Sequence, residues 1–255
     1  VVIAPLEGSP AADAGIVSGN TLLRVDGLST TDLGLEATAA RLRGPEGSEV
    51  LVELRGSGGQ AREVVLRRRQ VDLQPVRSRS LEQGGHRLGY LRITQFAEPV
   101  PQQVARSLEQ LQQQGIEGLV LDLRNNSGGL VSAGLAVADQ LLDGAPIVET
   151  RNRDGFSDAQ QAGRGALYRG PLLTLVNGGT ASASEILAGA LQDDERSLLL
   201  GSRTFGKGLI QTLISLGGDG SGLAVTVARY VTPSGRDIQN LGIEPDRLLP
   251  PPEPL

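Results

Sequence analysis

The chain has 255 residues, of which 39% are hydrophobic and 21% charged, and its formal net charge is −5. This composition indicates a folded protein large enough for two modest domains. The acidic balance argues against a nucleic-acid partner, the lack of Cys excludes disulfides and thiolate chemistry, and no apolar run is long enough to span a membrane.

Residues 1–69 predict a small β-rich unit with two helices. Apolar runs bounded by turn residues indicate strands, and Gly or Gly-Pro marks the end of each helix. The predicted strands cover residues 1–4, 21–25, 50–54 and 63–66, and the predicted helices cover residues 11–14 and 35–43. The last two strands form a hairpin around the glycine-rich loop of residues 56–59. Because the chain begins without Met and inside a predicted strand, we interpret it as part of a longer protein.

From residue 70 to residue 250, strands alternate with helices, which predicts a mixed α/β core. The predicted strands cover residues 88–93, 119–123, 147–148, 172–176 and 198–200, and the predicted helices cover residues 101–114, 131–142 and 182–191. Two further strands are predicted at residues 209–216 and 223–230. Residues 151–170 are polar and predict an irregular surface excursion, and residues 251–255 predict a tail.

The basic residues include a single Lys, Lys207, and all the others are Arg. A guanidinium cannot give up its proton in a protein, whereas a desolvated ammonium can. Lys207 lies between Gly206 and Gly208, which would allow close packing around it, and burial would lower the pKa of its amine toward that of a general base. The alternative is a codon bias with one surviving Lys.

The single histidine, His86, follows two glycines. A Ser-His-Asp triad would have to use it, although a lone His in a Gly-rich turn is more often solvated. With one His and no Cys, metal sites built from several such ligands are impossible.

Ser182 and Ser184 lie where a predicted strand, a Gly-rich turn and a predicted helix meet. Such a junction can present a serine at a helix N-terminus, where free amides and the helix dipole stabilise negative charge. The spacing of Ser182 and Glu185 also fits a capping box, which needs no catalysis. These residues alone do not decide between a cap and a nucleophile, or between the two serines.

A second Gly-rich turn, residues 125–129, follows the predicted strand at 119–123. Turns at the carboxyl ends of strands are where α/β folds bind ligands, and its Gly amides could donate to an oxyanion. The alternative is an ordinary strand-to-helix turn.

Residues 201–207 read G-x-x-x-x-G-K after a predicted strand, which is nearly a phosphate-binding loop. Residue 208 is Gly rather than the Ser or Thr that would hold magnesium, and the next segment predicts a strand rather than a helix. A nucleotide site is therefore the weaker interpretation.

The N-terminal unit resembles a PDZ domain of the bacterial kind. The matching segments are residues 8–11, 14–16, 25–27 and 43–47. PDZ domains capture a peptide C-terminus as an added strand. The first strand and the loop that hold the terminal carboxylate would precede Val1, so the resemblance implies a PDZ domain that lacks its first strand.

Residues 70–250 resemble the carboxyl-terminal processing peptidases, or tail-specific proteases, of family S41. The matching segments are residues 89–93 with 96, 122–126 with 128–129, 180–185, 205–208 with 211, and 232–236. The likeness is greatest to the photosynthetic branch that matures the D1 protein of photosystem II. It implies a ClpP/crotonase-like α/β peptidase core.

This resemblance implies a Ser-Lys pair, and the family's spacing between nucleophile and base selects Ser182 with Lys207. It implies an assisting Gln211, oxyanion donors at the backbone amides of Gly128 and Ala183, and an acyl-enzyme intermediate. Two further family positions, Glu185 and Asp193, are interpreted as structural supports. No metal or organic cofactor is expected.

The expected partners are protein or peptide C-termini, with peripheral membrane association through membrane-protein substrates and no nucleic acid. The resemblance places the protein outside the cytoplasm, in a periplasm or thylakoid lumen, with its targeting segment absent from this chain. The main alternative is a non-catalytic peptide-binding protein of PDZ/crotonase-like fold.

Overall fold

The computed structural model describes residues 1–6, 8–56, 58–71, 74–155, 157–215 and 222–250. The chain divides into two compact units, Val1–Gln74 and Pro75–Leu255. The tail predicted at 251–255 lies outside the described residues. None of the described helices is long and apolar enough to cross a lipid bilayer.

The first unit is a four-stranded antiparallel sheet with two helices. In chain order its elements are α1 (Pro10–Asp13), β1 (Thr21–Val25), β2 (Leu28–Ser29), α2 (Thr30–Leu42), β3 (Glu49–Arg55) and β4 (Ala61–Arg67). The sheet order is β2-β1-β3-β4. Alternate residues of β3, Val50, Val52 and Leu54, point into a small core, as the period-2 pattern of a half-exposed sheet requires.

Two predictions for the first unit need correction. The strand predicted at 1–4 is wrong. Among the described residues, Val2 alone in this segment exchanges backbone hydrogen bonds, with Gly19 and Asn20 at 2.9 and 2.7 Å, and no ladder develops. Helix α2 begins at Thr30, earlier than residue 35, and has a break at Gly34, whose φ is 72°.

Within the described residues, the second unit contains ten strands and three helices. In chain order they are β5 (Val76–Gln83), β6 (His86–Ile93), α3 (Val100–Gln113), β7 (Gly118–Asp122), α4 (Val131–Leu141), β8 (Pro146–Asn152), β9 (Ser157–Gln161), β10 (Leu172–Val176), α5 (Ala183–Asp193), β11 (Leu198–Gly201), β12 (Leu209–Ser215), β13 (Gly222–Val231) and β14 (Arg247–Leu248).

A six-stranded sheet of order β14-β11-β10-β7-β6-β5 forms the centre of this unit. All its pairs are parallel except β5 with β6. Helix α3 confirms the helix predicted at 101–114, and its apolar face presents Val104, Leu108 and Leu111 to the core, each at most 1% exposed. Because β7 and β10 are parallel neighbours, the turns that follow them open at the same edge of the sheet.

A second sheet has the order β12-β13-β8-β9. The irregular excursion predicted at 151–170 is wrong in its first half, where β8 continues to Asn152 and β9 pairs back onto it. All five residues of β9 are exposed, so backbone pairing rather than side-chain burial forms this strand. A strand of that kind has no hydrophobic alternation by which the sequence could reveal it.

Candidate active site

Two turns at the carboxyl edge of the central sheet lie against each other. We call residues 125–129, after β7, the Gly-rich turn, and residues 177–182, after β10, the Ser182 turn. Asn177 Oδ1 accepts from the backbone N–H of Asn125 at 2.9 Å, and Asn177 Nδ2 donates to Asn125 Oδ1 at 2.9 Å. The paired amides fix the two turns relative to each other.

Ser182 has a strained backbone, with φ 58° and ψ −119°, directly before α5. A positive φ is costly for a non-glycine residue and is held only when the surroundings demand it. A sharp strand-to-helix turn of this kind projects its side chain away from the sheet edge. Ser184 differs, because it is fully buried and its hydroxyl donates to Asn126 O at 3.0 Å. Of the two serines, Ser182 is partly exposed and Ser184 is buried.

Gly128 packs directly against the Ser182 turn. A Cβ on Gly128 would lie 2.8 Å from Ala181 O and 2.9 Å from Ser182 Cβ, and its φ is +99°, so a glycine is required here. The Gly128 N–H donates to the side-chain oxygen of Asn126 at 3.0 Å. The N–H of Ala183, at the start of α5, has no hydrogen-bond partner within the described part of the chain.

The buried carboxylate of Glu185 joins the Ser182 turn to the chain around Lys207, residues 204–208, which we call the Lys207 segment. Its Oε2 accepts from the backbone N–H groups of Ser182 and Lys207, at 2.9 Å each. Its Oε1 accepts from Thr204 Oγ1 at 2.6 Å and from Gly206 N–H at 2.7 Å. Because Ser182 and Lys207 donate to the same oxygen, their backbones are close neighbours.

Lys207 is exposed to solvent, which corrects the expectation that its amine is buried. Its neighbours Gly206 and Gly208 are buried, because residues 238–242 pack directly against them. The two glycines therefore accommodate a neighbouring backbone rather than an enclosed amine. Among the residues that the structure describes, no hydrogen bond joins the Lys207 amine to the Ser182 hydroxyl.

Gln211 lies on β12, four residues beyond Lys207, and is exposed. Its Nε2 is 3.5 Å from Oγ1 of Thr226, its cross-strand neighbour on β13. In the described structure its side chain makes no hydrogen bond with the Lys207 amine.

Asp193 lies at the opposite end of α5 from Ser182, on the order of 16 Å away along the helix. Its Oδ2 accepts from Ser234 N–H at 2.8 Å, and its Oδ1 is paired with Arg236. Burial raises the pKa of this carboxyl, but hydrogen bonds from Thr232 and Ser234 outweigh burial, so the pKa is lowered overall. Asp193 thus organises residues 232–236 and does not reach the Ser182 turn.

His86 lies at the start of β6, at the opposite edge of the central sheet from the Ser182 turn. Its ring is 2.7 Å from Glu117, and this hydrogen bond raises the pKa of His86. Further along β6, Arg92 pairs in register with Asp122, the residue at the end of β7 that precedes the Gly-rich turn. Arg92 is about 20 Å from His86 along the strand. A triad built from His86 and Ser182 is therefore excluded.

The phosphate-loop interpretation of residues 201–207 also fails on the local structure. A phosphate loop leads into a helix whose N-terminus faces the phosphate. Here Lys207 is followed by the strand β12, as the sequence predicted.

A buried acidic residue, Asp122, anchors the end of β7 next to the Gly-rich turn. It accepts from Arg92, from Tyr90 and, through both oxygens, from Arg124. Burial raises the pKa of this carboxyl, but the hydrogen bonds from Arg124 and Tyr90 outweigh it, so the pKa lies below its usual range. This ion cluster fixes the point where the chain leaves the sheet for the Gly-rich turn.

Sequence reasoning missed several polar residues that hold the site together: Asn126, Asn177, Thr204 and Gln239. Each acts through hydrogen bonds to backbone groups of segments distant in sequence. No spacing rule predicts such contacts from one chain, because they depend on which turns the fold brings together.

Comparison with known proteins gives two family matches. The model for Peptidase family S41 matches residues 87–249, and the model for the PDZ domain matches residues 1–68. The chain is 48% identical over 250 residues to the carboxyl-terminal-processing protease of Picosynechococcus sp., covering 98% of this chain and 60% of that relative.

Two further similarities agree with these matches. The chloroplastic C-terminal processing peptidase of Tetradesmus obliquus is 42% identical over 264 residues, covering 98% of this chain and 57% of the relative. A solved structure described as the photosystem II D1 C-terminal processing protease has a TM-score of 0.89 and 42% identity, over 98% of this chain and 68% of that one. The chain spans about three-fifths of the length of these two curated relatives.

Proposed function

Because the chain belongs to peptidase family S41, we propose that it is a serine endopeptidase that cleaves protein substrates near their C-termini through a Ser182–Lys207 pair. The observation that carries this proposal is the Glu185 carboxylate, which accepts from the backbones of both residues at 2.9 Å. A purely structural cap would need the contact to Ser182 only. The additional bond to Lys207 holds the backbone of the chain's single Lys close to the backbone of Ser182.

In the proposed reaction, the neutral Lys207 amine takes the proton of the Ser182 hydroxyl while Oγ bonds to the scissile carbonyl carbon. The tetrahedral intermediate collapses when the Lys207 ammonium returns that proton to the leaving amine, which departs as the C-terminal fragment. Water then attacks the acyl-enzyme, with Lys207 again accepting and returning a proton. Each cycle consumes one water and restores both side chains.

The exposure of Lys207 assigns a role to the substrate in this reaction. An amine in water is largely protonated at neutral pH, whereas an apolar peptide that covers the amine disfavours its charged form. We propose that the bound peptide displaces water from Lys207 and so generates the base. It follows that the acid limb of kcat lies at lower pH than the acid limb of kcat/KM.

The oxyanion would be held at the N-terminus of α5. The Ala183 N–H has no other partner within the described residues, and the helix dipole favours negative charge there. The second proposed donor, the Gly128 N–H, is engaged by Asn126 at 3.0 Å. We propose that, when substrate binds, the oxyanion accepts from the Gly128 N–H together with Asn126 Oδ1 or in its place. We also propose that the Gln211 side chain rotates toward Lys207 and assists its amine.

The proposed substrates are polypeptide C-termini. The relatives are named for C-terminal processing, and one solved neighbour is named for the D1 protein of photosystem II. The first unit matches the PDZ domain model, and PDZ domains bind a peptide as an added strand. We place the protein outside the cytoplasm, in a periplasm or thylakoid lumen, which subcellular fractionation of the native protein would test.

The proposal is tested by incubating the protein with a peptide that has an apolar C-terminus and following the products by mass spectrometry. We expect trimming by the wild type and none by Ser182→Ala or Lys207→Ala. Ser184→Ala is the matched control, because it removes a buried hydroxyl two residues away and should retain activity within a few-fold. Peptide binding without cleavage by a folded wild type would instead support a non-catalytic binder.

A further inference from the structure

Lys207 is held on both sides through backbone N–H groups. Its own N–H donates to Glu185, and the N–H of the next residue, Gly208, donates to Oε1 of Gln239 at 2.8 Å. The Gly208 carbonyl accepts from Tyr230 N–H at 2.7 Å, which ties the same residue to β13. The Lys207 backbone is therefore fixed although its side chain is exposed.

Gln239 is itself fixed by its neighbours. Its backbone N–H donates to Asp237 Oδ1 at 2.9 Å, and its Nε2 donates to Asn240 Oδ1 at 2.9 Å. The other oxygen of Asp237 forms an ion pair with Arg229 at 3.2 Å. These contacts orient the carboxamide so that its oxygen faces Gly208.

The fit between Gln239 and Gly208 is too close for a side chain at residue 208. A Cβ on Gly208 would lie 2.9 Å from the Gln239 backbone nitrogen. Asn240 N–H also donates to Gly206 O at 2.9 Å, so neighbouring residues 239 and 240 bond the glycines on both sides of Lys207. These two residues therefore hold the backbone of the Lys207 segment in place.

We propose that Gln239 is a positioning residue for Lys207, acting through Gly208. The inference rests on the proposed function, in which Lys207 is the base. A lysine side chain is a flexible stem of four carbons, and no hydrogen bond within the described residues fixes the Lys207 amine. The position of the backbone therefore limits where the amine can reach, and a shift of the backbone by about 1 Å reduces the rate by as much as ~100-fold.

The experiment compares Gln239→Ala and Gln239→Glu with the wild type, with each rate divided by the concentration of Ser182 that a fluorophosphonate titrates. For Gln239→Ala we expect kcat to fall by about 10- to 100-fold with KM within about two-fold, because the Gly208 N–H loses its acceptor. Gln239→Glu keeps an acceptor oxygen for the Gly208 N–H and should recover most of the rate.

Gln192→Ala is the matched control. Gln192, like Gln239, uses its side-chain carboxamide to bond a distant backbone group, but as a donor to Glu244 O at 3.0 Å and at the far end of α5. We expect its kcat per titrated site to equal that of the wild type. The inference is overturned if Gln239→Ala keeps the wild-type kcat per titrated site, or if Gln239→Glu loses as much rate as Gln239→Ala. A wild type that neither cleaves nor is labelled would instead remove the proposed function.

Discussion

Replacing Glu185 with Gln perturbs the contact between the Ser182 turn and the Lys207 segment without changing the volume of the side chain. The carboxylate is fully buried, and its two oxygens each accept two hydrogen bonds. A carboxamide has one accepting oxygen, and its NH₂ group faces donors at the other position. If the NH₂ replaces Oε2, the N–H groups of Ser182 and Lys207 both lose their acceptor.

The size of this effect follows from the number of orphaned donors. Each buried N–H without a partner costs about 1–3 kcal/mol, so two of them cost about 2–6 kcal/mol of the free energy of unfolding. That is a large part of the 5–15 kcal/mol by which a typical domain is stable, yet the protein should remain folded in mild conditions. Because the lost bonds position Ser182 and Lys207, we expect kcat per folded molecule to fall by about 100-fold.

The assay pairs urea unfolding with peptide cleavage, normalised to the folded fraction. Asp193→Asn is the control, since Asp193 is a partly buried carboxylate at the other end of α5 and holds Ser234 and Arg236 instead. It should lose stability without losing kcat. If Glu185→Gln unfolds at the wild-type urea concentration and cleaves at the wild-type rate, the proposed link between the two segments is refuted.

Three further predictions concern single residues. Lys207→Arg should be as inactive in peptide cleavage as Ser182→Ala, because a guanidinium stays protonated at every pH at which the protein folds. Gly128→Ala should abolish cleavage, since its Cβ would meet Ser182 Cβ at 2.9 Å, whereas Gly115→Ala, with φ +74° and open space around it, should cost only about 1 kcal/mol in urea unfolding and keep activity. The pKa of Asp122 is lowered, so its contribution to stability is full above the unfolded-state pKa of about 4 and is lost as the pH falls through the folded-state value. Asp122→Asn should therefore be less stable than the wild type at neutral pH, and the difference in stability between the two should shrink in acid. Unfolding measured at several pH values checks this.

The fold was predictable where side chains are buried in a regular pattern. The apolar runs of β7 and β10 and the 3.6-residue periodicity of α3 appear at nearly the predicted residues. Strands β5 and β9 were missed because nearly all their residues are exposed and carry no alternation. Pairing with β6 and β8 forms these strands, and such pairing is a property of the tertiary structure.

The sequence suggested which residues to consider for the candidate site but not how they are arranged. The single Lys drew attention to Lys207 and the strand-to-helix junction to Ser182 and Ser184, and the family resemblance selected Ser182. The glycines that flank Lys207 misled the prediction of burial. Gly206 and Gly208 are close-packed against residues 238–242, and nothing in the sequence shows which segment fills the space beside a glycine. Glu185 was predicted as a structural support, and its bond to Lys207 could be seen only after folding.

The most direct test of the Ser182–Lys207 pair is the pH dependence of covalent labelling by a fluorophosphonate, with the modified residue located by mass spectrometry. We expect a single adduct on Ser182, a labelling rate that rises with pH as an amine loses its proton, and a rate at least about 100-fold lower in Lys207→Ala. An adduct on another residue, or an unchanged rate in Lys207→Ala, would contradict the account.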